Sequence, residues 1–161
     1  MGGDRTRGRG RGRGWGRGRG WGEAGAGVGT GGQDGGMDPS EVVRALWHRF
    51  QDRNWAGAGE LIAESAVIDW PASRERLAGR DTIIAVNREY QEGWSITVLR
   101  VVAEDDQVAA EVEVPHAELG EFRVAGFYTV RDGQITHGTE YWTTVGADEP
   151  ASDRAHLVQR Y

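Results

Sequence analysis

Apolar positions early in the chain recur at helical spacing. Val43, Leu46, Trp47 and Phe50 share one face of a segment that starts at a clean signal, "MDPSE". Asp38 is a good N-cap, Pro39 suits the first helical position, and Glu41 completes a capping box. A short second helix is predicted over 55–63, capped by Asn54, with Leu61 and Ile62 as its apolar side. "AVIDW" (66–70) reads as a strand ended by Pro71, which cannot donate to a ladder. "ASRERLAG" then reads as a polar loop closing on Gly79. A third helix is predicted over 81–92, with Ile83, Val86 and Tyr90 on one side and Gly93 as its stop. From Trp94 the period drops to two. Residues 94–104, 107–118, 121–131 and 134–145 read as four strands, broken at "EDDQ", "ELGE" and "RDGQ". Asp132-Gly133 is the strongest hairpin signal among the breaks. Helices first and consecutive hairpins after predict an α+β domain, with helices on one face of a curved antiparallel sheet. "ASDRAHLVQRY" is expected to add a short helix capped by Ser152.

Strand alternation sorts the last strand, "GTEYWTTV" (138–145), into two faces. Gly138, Glu140, Trp142 and Thr144 point one way; Thr139, Tyr141, Thr143 and Val145 point the other. On a solvated face Glu140 is an ordinary surface acid, but inside a pocket it is a candidate acid or base for chemistry.

Composition narrows the functions available. The chain has 161 residues and no cysteine, which excludes disulfides, thiol nucleophiles and thiolate metal sites. Its four histidines, His48, His116, His137 and His156, show none of the close spacings of zinc enzymes, so no metal is expected. No phosphate-cradling glycine loop or serine-nucleophile motif is present, and no cofactor is expected. No apolar run approaches the roughly 20 residues of a membrane span, and the N-terminus lacks the apolar region of a secretory signal. A cytoplasmic address is expected.

Charge is uneven. Residues 1–36 hold 7 arginines against 3 acids, and residues 37–161 hold 12 against 22, with no lysine anywhere. An acidic body repels phosphate backbones, so nucleic-acid binding falls to the tail alone. "RGRGRGRGWGRGRGWG" (7–22) cannot bury a core and is expected to be disordered. Two readings stand for it. It is an arginine–glycine arm, with Trp15 and Trp21 stacking on bases, or it is translated leader of a product whose native start is Met37.

The order helix, helix, strand, helix, four long strands resembles the NTF2-like, or SnoaL-like, α+β cone. "AVIDWPASRERLAGRDTI", "VRDGQI" and "EYW" carry the resemblance across residues 38–146. That family includes ketosteroid isomerases, polyketide cyclases, dehydratases and epoxide hydrolases, so the fold does not choose an activity. The resemblance implies a pocket between the helices and the concave sheet face. Gly138, Glu140 and Trp142 then face inward, as do Phe122, Val124, Gly126 and Tyr128, and Val108, Ala110, Val112 and Val114, with His116 at the rim. Arg123, Phe127, His137 and Tyr141 fall on the outer face, through which family members often dimerise, so a homodimer is expected. Measured against the ketosteroid isomerases, the tyrosine donor, aspartate base and second acid donor fall on Leu46, Trp70 and Gly126. None has the chemistry, so isomerisation by that machinery is not expected.

The expected site follows. Glu140 is the base, and Tyr128 or His116 stabilises a developing negative oxygen. Trp47, Trp70, Trp142, Val112, Val124 and Gly126 bind the ligand. The bland reading ties Glu140 into an ion pair with Arg74, Arg76 or Arg80. Asp69, next to Trp70 on the opposite face, is expected to be structural, and His116 is equally read as an ordinary exposed histidine near a hairpin. The expected function is a small pocket protein for a hydrophobic, oxygenated small molecule, with cofactor-independent acid–base chemistry if it is an enzyme. The alternative is a non-catalytic ligand-binding or dimeric interaction module.

Overall fold

The computed structural model describes residues 36–148, 152–159 and 161. The reading of residues 1–36 as a disordered arm or leader, with the folded domain over 37–161, falls outside them for all of the tail but Gly36. The described chain runs α1 (Pro39–Gln51), α2 (Trp55–Glu60), β1 (Ile62–Trp70), β2 (Glu75–Ala78), α3 (Arg80–Glu89), β3 (Thr97–Glu104), β4 (Gln107–His116), β5 (Gly120–Arg131) and β6 (Gln134–Thr144). The fold is α+β, with three helices packed on a curved six-stranded sheet of order β2-β1-β6-β5-β4-β3.

Asp38 and Asn54 cap as expected, but the Glu41 side chain makes no hydrogen bond to the Asp38 amide, so the expected capping box is not closed. The Asp38 carboxylate accepts from the Ser40 amide at 2.8 Å, and the Asn54 side chain accepts from Gly57 at 2.9 Å. α1 buries Val42, Val43, Leu46, Trp47 and Phe50 and packs across β3 to β6, while α3 packs on β1 and β2. The β5–β6 turn is tight: Arg131 pairs with Gln134, and Asp132 and Gly133 both take positive φ, 50° and 73°. Two such residues give the turn a twist that matches the flanking strands.

Several boundaries differ from expectation. β1 starts at Ile62, because that residue pairs with Ile135 of β6 rather than closing the second helix. The β1–β6 pair is parallel, while the other strand pairs among the described residues are antiparallel. Within the expected polar loop, residues 75–78 form an edge strand against β1, with Leu77 its one buried residue. Short charged strands are what exposed edges favour, and their composition hides them. α3 ends at Glu89 because Tyr90 turns extended (φ −62°, ψ 142°). Trp94 precedes β3 and makes an isolated bridge to His116. Residues 152–157 form turns in place of the expected helix. Leu157 there is 75% exposed, and so short a helix does not persist without a face to bury.

Candidate active site

Four residues on the concave face of β5 and β6 make a square. Gly126 pairs with Glu140, and Tyr128 pairs with Gly138. The Tyr128 ring fills the room that both glycines leave. A Cβ on Gly126 would overlap the phenol hydroxyl and stand 2.7 Å from two ring carbons, and one on Gly138 would stand 3.0 Å from the ring. Lying this way, the phenol donates to Glu140 Oε1 at 2.9 Å. Trp70, at the end of β1, donates its indole N–H to Glu140 Oε2 at 2.9 Å. Trp142, two residues along β6, donates to the same oxygen at 3.0 Å. Glu140 is thus a carboxylate with 6% exposure and three neutral donors. Among the described residues no arginine or histidine pairs with it.

The electrostatics follow from that setting. Burial raises the Glu140 pKa above that of a free glutamate, against the opposing hydrogen bonds from Trp142, Trp70 and Tyr128. Burial also pushes the Tyr128 phenol well up, and the adjacent Glu140 charge and hydrogen bond add to it. Tyr128 therefore stays a proton-bearing donor. The Trp47 N–H reaches no acceptor with hydrogen-bond geometry; beside the phenol oxygen, it is the one neighbour that counters the rise. A carboxylate offers about four acceptor positions. Two on Oε2 and one on Oε1 are filled, which leaves one acceptor position on the carboxylate without a protein donor.

Glu140 opens onto a cavity of about 450 Å³ walled mainly by aromatic rings. Of the expected ligand contacts, Trp47, Trp70 and Trp142 line it. Val112 and Val124 do not; they are buried in the core beneath. Gly126 does not either, because Tyr128 occupies its space. The space over Gly138 is likewise taken by Tyr128 and Ile68. Tyr128 sits behind Glu140 rather than in the wall, and its only proton is committed to that carboxylate. Its geometry suits positioning Glu140, not holding an oxyanion.

His116 does line the cavity, but it is buried rather than exposed. Its Nδ1 accepts from the Glu118 and Leu119 amides at 3.1 and 3.2 Å, and Nε2 lies 3.3 Å from the Gln91 carbonyl. That pattern assigns the Nε2–H tautomer and leaves neither nitrogen for a ligand. His116 ties the β4–β5 hairpin to the segment after α3. The expected arginine partners are elsewhere. Arg76 forks onto Asp69 at 2.6 and 2.9 Å, which makes Asp69 the structural acid expected and lowers its pKa, and Arg80 donates to the Ile62 carbonyl.

The sequence pattern does not single out Ile96 or Glu75, yet each lines the cavity, as do Val86 and Tyr90 of the expected apolar helix side.

Comparison with known proteins agrees with this architecture. A profile described as the SnoaL-like domain matches residues 43–138. The chain belongs to the SnoaL-like family. Among solved structures, this SnoaL-like chain is similar to a "putative ketosteroid isomerase" from Kribbella flavida, at 28% identity and TM-score 0.70, over 76% of this chain and 89% of that one. An NTF-2 like protein of unknown function from Burkholderia xenovorans matches at 20% identity and TM-score 0.63, over 76% and 94% of the chains. An LEH-like epoxide hydrolase from M. tuberculosis matches at 21% identity and TM-score 0.57, over 65% and 82%. The last two show shared fold alone. No curated protein matches the chain.

Proposed function

We propose that this SnoaL-like protein binds a hydrophobic, oxygenated small molecule and acts on it by cofactor-independent proton transfer through Glu140. One observation carries the reading: a carboxylate buried against an aromatic cavity, held by three neutral donors with no cationic partner. Such a group costs stability that an apolar residue of similar volume would spare, as a working acid or base does. Its raised pKa moves it toward the range where proton exchange near neutral pH is efficient. The proton is exchanged at the carboxylate's unfilled acceptor position, while Tyr128, Trp70 and Trp142 hold the carboxylate still. The similarity to the Kribbella flavida protein supports acid–base chemistry in general. It does not carry over steroid isomerisation, because Leu46, Trp70 and Gly126 stand where that machinery needs acids and a phenol.

The test is a screen of the full chain and Glu140→Gln against hydrophobic epoxides, enones and β-hydroxy ketones, followed by mass spectrometry. A wild-type turnover that falls about 100-fold or more in the variant is expected. A ligand that both proteins bind equally, with no turnover by either, would sink the catalytic reading and leave a binding module. A second reading, a dimeric module, draws on the outer face, where Phe127 and Tyr141 are 53% and 45% exposed and stack edge to face.

A further inference from the structure

Ligands of similar size differ in charge, and the charged groups of the cavity wall bear on which of them fit. The chain has no lysine, and among the described residues no arginine lines the cavity. His116 has both nitrogens committed in its neutral tautomer. The carboxylates in the wall are Glu140, which is buried, and Glu75, which is exposed. An anionic ligand would meet like charge with nothing to pair it.

The aromatic walls are arranged to receive the opposite charge. Trp142 lies 6.3 Å from Trp47 and 6.0 Å from Trp70, with ring planes inclined at 53° and 63°. Neither pair is stacked face to face. Trp70 and Trp142 both donate their N–H to a carboxylate, which enriches the indole π-systems and strengthens their attraction for a cation. The chain already uses one wall residue this way. The Arg53 guanidinium lies 3.3 Å from the Trp94 ring centroid, and its charge is balanced by Glu92 at 2.8 Å.

We propose that the cavity selects a hydrophobic organic cation, an amine or quaternary ammonium compound, whose charged nitrogen sits against the partly exposed indoles of Trp70 and Trp142 beside Glu140. This rests on the reading of the cavity as the substrate site and specifies the substrate class. The oxygenated part of the molecule is then the part on which Glu140 exchanges a proton, and the charged nitrogen is its anchor.

The experiment uses the full chain at neutral pH and tryptophan fluorescence titration. Three probes of matched bulk are compared: benzoylcholine, its uncharged carbon isostere 3,3-dimethylbutyl benzoate, and the anion 4-tert-butylbenzoate. Benzoylcholine is expected to bind at least tenfold tighter than the isostere, and the anion weakest of all. Glu140→Gln is expected to cut that preference to threefold or less, with circular dichroism and thermal unfolding reporting that the variant is folded. Glu75→Gln is expected to narrow it less. Equal affinity for cation and isostere, tighter binding of the anion, or no binding by any probe overturns the proposal, as does a preference unchanged in Glu140→Gln. Equal affinities alongside Glu140-dependent turnover in the substrate screen would discard the charge assignment and keep the acid–base reading. Cation preference without turnover would do the reverse.

Discussion

Glu140 binds a proton more tightly in the folded chain than it does unfolded, because burial disfavours its charge. The sign of its effect on stability follows. Its contribution is fully present below the pKa of a free glutamate, about 4.3, and is lost as pH rises through the raised folded value. Glu140→Gln removes that loss. The amide also fits the donors: its carbonyl takes the two indole N–H groups, and its NH2 donates to the Tyr128 oxygen, whose own proton rotates away. The variant is expected to be at least as stable as wild type at pH 7, with the difference shrinking as pH falls toward 4. Urea unfolding across that range measures it, and a variant less stable at pH 7 would mean that the charge is stabilising. Tyr128→Phe acts differently. It strips a donor from a buried carboxylate, so it is expected to cost about 1–3 kcal/mol and to raise the Glu140 pKa further, since that hydrogen bond lowers it. A carboxyl 13C titration by NMR would detect the shift, and an unchanged titration would mean that the phenol does not hold Glu140.

At the scale of elements, the site is a property of the β5–β6 pair. Gly126 faces Glu140 and Gly138 faces Tyr128 across one register, so the two glycines form a trough in which the phenol lies. Gly126→Ala puts a methyl group into that ring. An expected loss of about 1–3 kcal/mol follows from overpacking, with release of the Tyr128–Glu140 hydrogen bond. Thermal unfolding together with the same carboxyl titration checks both. A stable variant with an unchanged Glu140 titration would show that the ring has room to shift. This register explains what the sequence made legible. Period-two alternation and the Asp132-Gly133 turn are enough to place Glu140, Tyr128 and Trp142 on one face. They do not tell that the tyrosine leans back over Gly126, because side-chain direction along a strand is set by the neighbouring vacancies. Val112 and Val124 share the face but lie under α1, and facing inward is not the same as lining a cavity. β2 stayed hidden because an edge strand needs little apolar content.

The whole molecule has two contrasting sheet faces. The concave one is covered by helices and holds the cavity. On the outer one, Phe127 and Tyr141 meet edge to face at 6.4 Å, with Arg123 bridging Glu113 and Glu121 and the Asp69–Arg76 pair on strands beyond. Isolated exposed apolar residues are ordinary, but an aromatic pair with a charged surround has the anatomy of an interface core and rim. We expect the chain to form a homodimer through this face, burying roughly 800 Å² per protomer. Multi-angle light scattering of the full chain should then give twice the mass of one chain, and Phe127→Asp should give the mass of one, since the aspartate brings an unpaired charge to the centre of each partner's patch. A monomeric wild type at tens of micromolar would remove the dimer. The cavity opens on the other side of the sheet, so the monomeric variant should keep its Glu140-dependent ligand binding. If binding falls with the dimer, the outer face supports the trough of Gly126 and Gly138 from behind, and assembly and site are coupled through β5 and β6.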